Sequence, residues 1–519
     1  MKDTSGKRYR LLLVNPRRRY RYHWDLYELC RVMGKKTAVH PLALPTVAAL
    51  TPPHYDVAIL DEHVEPIRYE PKPDLVGITA LGPNVHRAYA IADRFRSLGV
   101  PVVMGGPQVS FTAEESLRHA DSLVIGEAEE AWPECLADFE QGRLKPTYQR
   151  SGPYEFRTMP RPRWDLVNTR GVMALGVQAS RGCPYRCDFC LVRNMFGEAQ
   201  RYRDLDNLMA EIQSLPKRQI TFVDDNLTSN KPYARELMRR LKPLKVSWMC
   251  QASLEVCRDE ELLKAMAEAG CTCMLLGIES LNPQSLAEAG KKQNRVDEYR
   301  DSIRRVHRQG IHVVGSFIVG FDSDRLDAFE KIYDFTMDNN ISLIMLNLLT
   351  ASPGTPLHDR MKQAGRLRAL EPEMVNGMYP TMQYRHISQG DIFEKYFETL
   401  EKMLSYDAVR KKALEVFGSG NFQRYNDKDI RPRDKLRSLC HLARHFLMTS
   451  DREKRRLFAD LFALVFQHRV SVGNVVEFLL LIVSFNGFLQ YTKEHRVEIQ
   501  RKIRENDPGP LEREGQDAV

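Results

Sequence analysis

The sequence predicts a three-part α/β protein, with an N-terminal Rossmann-like domain, a partial (β/α)6 barrel and a C-terminal helical domain. Two arrays of short apolar runs alternate with helical patterns, as expected of parallel β/α units. A stretch rich in proline and arginine separates the arrays, and strand signals stop after about residue 385. The predicted boundaries are 1–145 for the first domain, 146–165 for a linker, 166–385 for the barrel and 386–519 for the helical domain.

Composition places the chain among ordinary soluble globular proteins. Its 519 residues suffice for two or three domains, and 43% of them are hydrophobic and 28% charged. The net charge of +8 is mild for this length, so we expect no nucleic-acid partner. The ten cysteines form no evenly spaced disulfide framework and the N-terminus has no apolar signal core, so we expect a cytoplasmic location.

Each strand of the first array ends in polar or glycine residues. Five parallel strands of this kind predict a doubly wound sheet that binds a ligand at its carboxyl edge. The expected strands are 9–14, 55–60, 75–79, 102–104 and 122–125.

The second array has six β/α repeats, fewer than the eight of a closed barrel, so we expect an open barrel. Beyond it, the sequence predicts helices over 391–418 and 432–503, and a disordered tail over 505–519. The expected barrel strands are 174–179, 219–223, 246–252, 273–278, 312–319 and 342–348.

Three cysteines follow the first strand of the second array. Cys183, Cys187 and Cys190 have the spacing C-x3-C-x2-C, so three thiolates on one short loop can bind a single inorganic centre. Three is one fewer than the ligands of a closed zinc or iron–sulfur site. A zinc site is the weaker alternative, because the other seven cysteines lie in unrelated elements. The pattern therefore favours a cluster with one open iron.

The triplet, with an aromatic residue before its last cysteine, resembles the radical S-adenosylmethionine (SAM) superfamily. That resemblance implies a [4Fe–4S] cluster whose open iron binds SAM and cleaves it to a 5′-deoxyadenosyl radical. Asp224 and Asp225 have the alternative of a metal pair, which is disfavoured because no histidine lies nearby. The residues implied to contact SAM are Phe189, Asp224, Asp225, Asn226, Glu279, Ser280, Ile318 and Gly320.

The first domain resembles the cobalamin-binding domain of corrinoid enzymes. A Thr-x-Leu on the third predicted strand, a Gly-Gly after the fourth and a Gly-Glu after the fifth match that family's motifs. Glycine there lets the backbone approach a bulky ligand. The alternative is a Rossmann-like unit that has lost its ligand. The residues implied to contact cobalamin are Thr79, Leu81, Gly105, Gly106, Gly126 and Glu127.

We expect no histidine of the protein to ligate cobalt. His63 lies in a partial Asp-x-His motif, but this motif follows the second strand and lacks the glycine of the family pattern. His23, after the first strand, is the one exception we consider. The basic run 17–21 is expected to be a solvated loop, or else to contact the propionamides or phosphate of cobalamin.

Taken together, the motifs resemble the cobalamin-binding radical SAM group that includes the hopanoid C-2 methylase. The resemblance covers residues 9 to about 370 and includes Lys292-Gln-Asn294 and Gly320-Phe-Asp322. It implies methyl transfer from methylcobalamin to an unactivated carbon of a hydrophobic or lipid-like substrate, with a flavodoxin- or ferredoxin-like reductant. The alternatives are a rearrangement, cyclisation or C–C coupling with the same cofactors, a methylthio-transferase, and a non-enzymatic corrinoid or iron–sulfur binding protein.

The segment 472–489 is apolar and nearly long enough to span a bilayer. It contains Asn474, Glu477 and Asn486, which are costly in lipid. We therefore expect a buried or amphipathic core helix, with a peripheral membrane contact as the alternative. The basic residues 454–456 would suit an anionic lipid or substrate.

Overall fold

A computed structural model describes residues 7–22, 25–341, 343–368, 371–418 and 432–512. Within these residues the chain forms two parallel sheets followed by a group of packed helices. This agrees with the predicted fold class, a Rossmann-like domain, a partial barrel and a helical C-terminal region.

The first part of the chain contains all five strands that the sequence predicts for it. They belong to a six-stranded parallel sheet with the order β3-β1-β4-β5-β6-β7. Its last strand, β7, falls in the stretch predicted to be a linker. The strands are β1 (Tyr9–Asn15), β2 (Thr37–His40), β3 (Tyr55–Asp61), β4 (Leu75–Thr79), β5 (Val102–Gly105), β6 (Ser122–Ile125) and β7 (Thr147–Gln149). The helices are α1 (Tyr27–Val32), α2 (Ala43–Ala49), α3 (Val85–Ser97), α4 (Pro107–Phe111), α5 (Ala113–Ser116) and α6 (Ala128–Glu140).

The second part forms a seven-stranded sheet with the order β15-β14-β13-β12-β11-β8-β2. The six predicted strands are present, although residue 342 lies outside the described residues. Two short strands, β9 and β10, pair separately as an antiparallel ribbon. The strands are β8 (Val172–Val177), β9 (Ser180–Arg181), β10 (Arg201–Tyr202), β11 (Gln219–Phe222), β12 (Ser247–Ala252), β13 (Cys271–Glu279), β14 (His312–Val319) and β15 (Leu343–Leu348). The helices are α7 (Val192–Phe196), α8 (Leu205–Ser214), α9 (Lys231–Leu241), α10 (Glu260–Glu268), α11 (Pro283–Glu288), α12 (Tyr299–Arg308), α13 (Asp327–Asp338) and α14 (Pro356–Gln363).

Strand β2 comes from the first part of the chain but belongs to the second sheet. It pairs in parallel with β8, so that Thr37 lies opposite Val172 and His40 opposite Leu175. The sequence did not predict this strand. The first part of the chain therefore contributes a strand to the second sheet. The domain boundary near residue 145 stays a prediction, because β2 lies before it yet joins the second sheet, and β7 lies after it yet joins the first.

Within the described residues, five helices follow the barrel. The longest, α19, packs against α1, α15, α17 and α18, and it is the one helix of the described chain that is long and apolar enough to cross a membrane. However, 61% of its most apolar stretch is buried inside the protein, and the Asn486 side chain donates hydrogen bonds to the carbonyls of Leu404 and Ile482. These contacts are those of a core helix. The helices are α15 (Gln389–Met403), α16 (Tyr406–Gly418), α17 (Pro432–Leu447), α18 (Arg452–Phe466) and α19 (Val472–Glu505).

The chain remains ordered beyond α19, so the prediction of a disordered tail from residue 505 is wrong as far as residue 512. The amide of Leu511 donates to the carbonyl of Tyr384, and the amide of Glu512 donates to that of Arg385. The side chains of Arg385 and Glu512 also form an ion pair at 2.7 Å. The prediction for 513–519 concerns residues outside the described part.

Candidate active site

The β9–β10 ribbon positions the cysteine loop. It follows β8 directly, with Ser180 paired to Tyr202 and Arg181 to Arg201. The loop starts at Gly182, where a φ of 88° and a distance of 3.1 Å between an added Cβ and the Ala199 carbonyl oxygen favour glycine. The ribbon therefore places the three cysteines at the carboxyl end of β8.

The three thiols of Cys183, Cys187 and Cys190 are half-buried and close enough to influence one another. Burial raises the pKa of Cys183 to about 11 and that of Cys190 to about 12, and the neighbouring thiols add to the effect at Cys190. Among the described residues, no group of His, Cys, Asp and Glu is arranged to hold a single ion. A [4Fe–4S] cluster uses a different iron for each thiolate, so this donor set fits a cluster better than zinc.

A buried lysine that the sequence analysis missed lies beside these thiols. Lys291 is 7% exposed, and its ammonium forms an ion pair with Glu279. Burial opposes the charge, but Glu279 and the thiols of Cys187 and Cys190 raise the pKa of Lys291 above its ordinary value. The lysine therefore places a permanent positive charge next to the three thiols. Its only sequence signal was its position directly before the Lys292-Gln-Asn294 motif.

Glu279 and Ser280, which are predicted to contact SAM, are both engaged by protein groups. Glu279 has a φ of 66° and a carboxylate that is bound to Lys291. The Ser280 hydroxyl accepts a hydrogen bond from the amide of Asn282 at 3.0 Å. The Asn294 amide nitrogen donates to two carbonyls of the β13 end, at 2.8 and 2.9 Å. Their direct contact with SAM stays a prediction.

Asp224 is directed at the protein rather than at open space. It is fully buried, and its carboxylate accepts hydrogen bonds from the Ala179 amide at 3.1 Å and the Ser180 hydroxyl at 2.7 Å. Burial raises its pKa to about 7. The contacts indicate that Asp224 holds the turn between β8 and β9, so a SAM contact would need a change in these bonds.

The next two predicted residues lie closer to the cysteines. Asp225 accepts a hydrogen bond from the Gly182 amide at 3.1 Å and so supports the start of the loop. Asn226 is buried, and its amide nitrogen has no hydrogen-bond partner within the described chain. It lies near the Cys183 thiol, whose pKa the Asn226 side chain lowers against the larger effect of burial. Asn226 therefore interacts with the cysteine loop, and its contact with SAM stays a prediction.

The remaining predicted SAM residues line the same end of the barrel. Ile318 and Ser280 border a cavity of about 450 Å³ at the ends of β13 and β14. The Gly320 amide donates to Asp324 at 2.9 Å, and its φ of 120° requires glycine. Phe189 packs edge to face against Phe321, with ring centroids 6.3 Å apart. These positions fit the prediction without testing it.

A second cavity, of about 290 Å³, lies at the carboxyl edge of the first sheet. Thr79, Gly105, Gly106, Gly126 and Glu127 line it, as the cobalamin prediction requires. A side chain on Gly126 would project into open space, and one on Gly106 would lie 2.7 Å from the Ala80 carbonyl. Both glycines have a positive φ, and the Ala80 backbone leaves no room for a side chain at Gly106. The mostly apolar walls of the cavity fit a bulky planar group.

The sixth predicted cobalamin residue, Leu81, does not border this cavity. Its side chain is 37% exposed, and its amide donates to the Asn84 side chain at 2.8 Å. Met195 and Phe196, by contrast, line the cavity from the other sheet's side. They belong to α7, which begins two residues after Cys190, so one short segment carries both a cluster cysteine and a cavity wall.

A network of buried ion pairs also joins the cysteine loop to the edge of the cobalamin cavity. Nη1 of Arg181 lies 2.6 Å from a carboxylate oxygen of Glu127 and 2.7 Å from one of Glu129, and all three side chains are at most 9% exposed. Glu127 also binds Arg201 at 3.0 Å and accepts a hydrogen bond from the Tyr154 amide. The Glu127 carboxylate therefore holds the β9–β10 ribbon, and its direct contact with cobalamin stays a prediction. The sequence analysis did not identify Arg181 or Glu129.

His63 is held by protein groups outside this cavity. Its Nδ1 lies 2.9 Å from the Asp61 carboxylate, and its Nε2 accepts from the Arg18 amide at 3.4 Å. The neighbouring basic run is partly paired, since Arg18 binds Asp25 and Arg19 binds Glu371. His23 lies outside the described residues.

Two family models match the chain. A model of the radical SAM superfamily matches residues 177–336, and a model of the B12 binding domain matches residues 35–136. The chain belongs to the cobalamin-binding radical SAM enzymes. Its cofactors are accordingly a [4Fe–4S] cluster, SAM and cobalamin. The roles of individual residues in holding them stay predictions.

Curated relatives of this radical SAM enzyme include methyltransferases. Bacteriochlorophyllide d C-12(1)-methyltransferase of Chlorobaculum tepidum is 29% identical over 72% of this chain and 84% of its own. Hopanoid C-2 methylase of Rhodopseudomonas palustris is 28% identical over 63% and 65%. Anaerobic magnesium-protoporphyrin IX monomethyl ester cyclase of Cereibacter sphaeroides is 25% identical over 69% and 63%.

Solved structures share the fold at low sequence identity. TsrM of Kitasatospora setae, a radical SAM methyltransferase with cobalamin and a [4Fe–4S] cluster bound, has a TM-score of 0.57 at 18% identity, over 70% of this chain and 76% of its own. OxsB with aqua-cobalamin and SAM bound has a TM-score of 0.56 at 16% identity, over 95% and 80%. The likeness extends over the helical C-terminal region in the second case.

Proposed function

We propose that this radical SAM enzyme methylates an unactivated carbon of a hydrophobic or lipid-like small molecule. One observation carries the proposal: α7 connects the cysteine loop to the wall of the cobalamin cavity within six residues of Cys190. A radical source and a methyl carrier are therefore held at one interface. The methyltransferase names of several relatives support the same reaction.

When bound, the cluster and SAM supply a 5′-deoxyadenosyl radical, and methylcobalamin supplies the methyl group. The chain's residues hold these groups in place. The three thiolates bind the cluster and leave one iron position open, while Asp225 holds the start of their loop. Lys291 supplies a nearby positive charge that offsets the thiolates. The apolar cavity keeps water away from the methyl carrier.

The substrate class and the partners belong to the same proposal. Relatives named for bacteriochlorophyllide d and for hopanoids support a hydrophobic substrate. A flavodoxin- or ferredoxin-like protein is the proposed one-electron reductant, because reductive cleavage of SAM consumes one electron. Peripheral contact with a membrane is also proposed, since a hydrophobic substrate partitions into lipid.

Anaerobic reconstitution tests this function. Protein loaded with iron, sulfide and hydroxocobalamin should form 5′-deoxyadenosine from SAM under reducing conditions, and the product should gain one methylene unit in mass. Cys183→Ala should abolish 5′-deoxyadenosine, whereas Cys440→Ala, at an exposed cysteine of α17, should not. Retained formation in Cys183→Ala would contradict the cluster assignment.

A non-methylating radical reaction is the second candidate, favoured by the relative that is named as a cyclase. It predicts 5′-deoxyadenosine together with a product that gains no methylene. A non-enzymatic corrinoid or iron–sulfur protein predicts no 5′-deoxyadenosine at all. Product mass and nucleoside formation therefore separate the three functions in one experiment.

A further inference from the structure

Helix α17 exposes apolar side chains and buries polar ones. Its buried residues include Asp434 and Ser438, together with Leu442 and Phe446. Its outward side carries three leucines, and a methionine follows the helix. The exposed fractions are 63% for Leu436, 38% for Leu439, 49% for Leu447 and 80% for Met448. A surface helix ordinarily turns its large apolar side chains inward, so these exposed leucines indicate a contact surface.

The orientation of α17 is fixed by its inward contacts. The Ser438 hydroxyl donates to the Asp434 carbonyl at 2.8 Å and lies 3.1 Å from the sulfur of Met33. Leu442 and Phe446 are fully buried. Because buried residues recur every four positions, the leucines between them stay on one outward stripe. Rotating the helix to bury the leucines would expose Leu442 and Phe446.

Positive charge borders this stripe. Arg433 and Arg444 are exposed and make no ion pair within the described residues. On a helical wheel both lie on the same side of the Leu436–Leu447 line. Residues 432–469, which contain α17 and α18, carry nine Lys and Arg against four Asp and Glu. This two-helix segment therefore carries a net charge of +5.

We propose that this α17 face, made of the three leucines, Met448, Arg433 and Arg444, docks the enzyme on an anionic lipid surface. Leucines inserted at the headgroup boundary are flanked there by arginines that pair with phosphate oxygens. A second copy of the chain fits less well, because a two-fold interface through this stripe would bring like charges together. Partly buried α19 is not the contacting segment.

The inference deepens the proposed function, since a hydrophobic substrate would reach the enzyme from the bilayer, yet docking itself does not require methylation. The test is sedimentation of the reconstituted holoenzyme with vesicles. We expect binding to phosphatidylcholine mixed with phosphatidylglycerol, and at least about tenfold weaker binding to phosphatidylcholine alone or at high salt.

Paired variants locate the surface. Leu436→Glu combined with Leu447→Glu should weaken vesicle binding at least about tenfold, because two inserted apolar side chains are replaced by charged ones that anionic lipid repels. Leu326→Glu, at a leucine that is 39% exposed on the barrel, is the matched control and should bind as the wild type does. Arg433→Gln with Arg444→Gln should lower binding only to vesicles that contain phosphatidylglycerol.

Several results would overturn the proposal. One is equal vesicle binding by the double leucine variant and the wild type. Another is a wild-type dimer in sedimentation velocity that the double variant dissociates, with no vesicle binding by either, which would assign the face to a second copy. Formation of 5′-deoxyadenosine in detergent solution should be unchanged in the double variant, so failure of docking is distinguishable from failure of the proposed function.

Discussion

Replacing Arg181 should lower the free energy of unfolding, because this residue forms buried ion pairs between the cysteine ribbon and the cobalamin domain. Arg181→Met removes the guanidinium that binds Glu127 at 2.6 Å and Glu129 at 2.7 Å. Glu127 keeps Arg201 and the Tyr154 amide, but Glu129 loses its ion-pair partner in the described structure. The loss should therefore fall mainly on Glu129, which is only 6% exposed.

The expected cost follows from this burial. Breaking a buried ion pair by removing one partner destabilises a protein by about 3–5 kcal/mol, because the other charge is left uncompensated. Arg163→Met is the matched control, since Arg163 binds Asp165 at 2.7 Å but on the surface, with side-chain exposures of 48% and 61%. Such surface pairs contribute about 0–1 kcal/mol.

Urea unfolding followed by circular dichroism measures both effects. Combining Arg181→Met with Glu129→Gln should recover part of the loss, because the second change removes the stranded charge. A loss below about 1 kcal/mol for Arg181→Met, equal to that of the control, would refute the reasoning. So would a double variant that is no more stable than the single one, since it would place the cost outside the pair.

Two further predictions concern α19 and the cobalamin cavity. Burial raises the pKa of Glu477, which lies near Cys273, from 4.5 to about 8. In the unfolded chain this carboxyl ionises near pH 4.5, whereas in the folded protein it stays protonated until about pH 8. The free energy of unfolding of the wild type should therefore fall relative to that of Glu477→Gln as pH rises from 4.5 to 8, by at most about 5 kcal/mol. Urea unfolding at pH 5 and pH 8 checks this, and a constant difference contradicts it. Gly126→Val should lower the cobalamin retained after desalting, because its side chain would enter the cavity, while Gly142→Val, at a similar positive φ on the surface, should retain it.

The parts of the site that sequence could predict are local in sequence. Cys183, Cys187 and Cys190 lie within eight residues, and their spacing alone indicates a shared centre. The partners of Arg181 are 52 and 54 residues away, in the loop and helix that follow β6, so no pattern near Arg181 could reveal them. Polar residues at strand ends were predicted as ligands, yet the geometry turns Asp224 toward the backbone of its own barrel.

The fold elements show the same contrast between features that are local in sequence and features that depend on distant partners. Strands with clear apolar runs were predicted even where they are as short as β5 and β6, whereas β2 has only Ala and Val between polar ends and takes its place only by pairing with β8. β7 lies in a proline-rich stretch that reads as a linker until β6 provides a partner. For α19, composition is the same for a core helix and a membrane span, and only its neighbours in the fold distinguish them.

Several contacts connect the cobalamin sheet and the barrel within the described residues, among them a shared strand, a buried ion pair and a shared cavity wall. β2 passes from the first part of the chain into the barrel sheet, and His40 at its end lies 3.8 Å from Asp61 at the end of β3. Arg181 joins the cysteine ribbon to the loop after β6, and α7 contributes to the cobalamin cavity. A radical formed at the cluster is useful only if a methyl group stands within reach, and small misplacements are costly in rate. The shared strand and the buried ion pair therefore provide what two domains joined by a linker alone would lack, a fixed separation between the two cofactors.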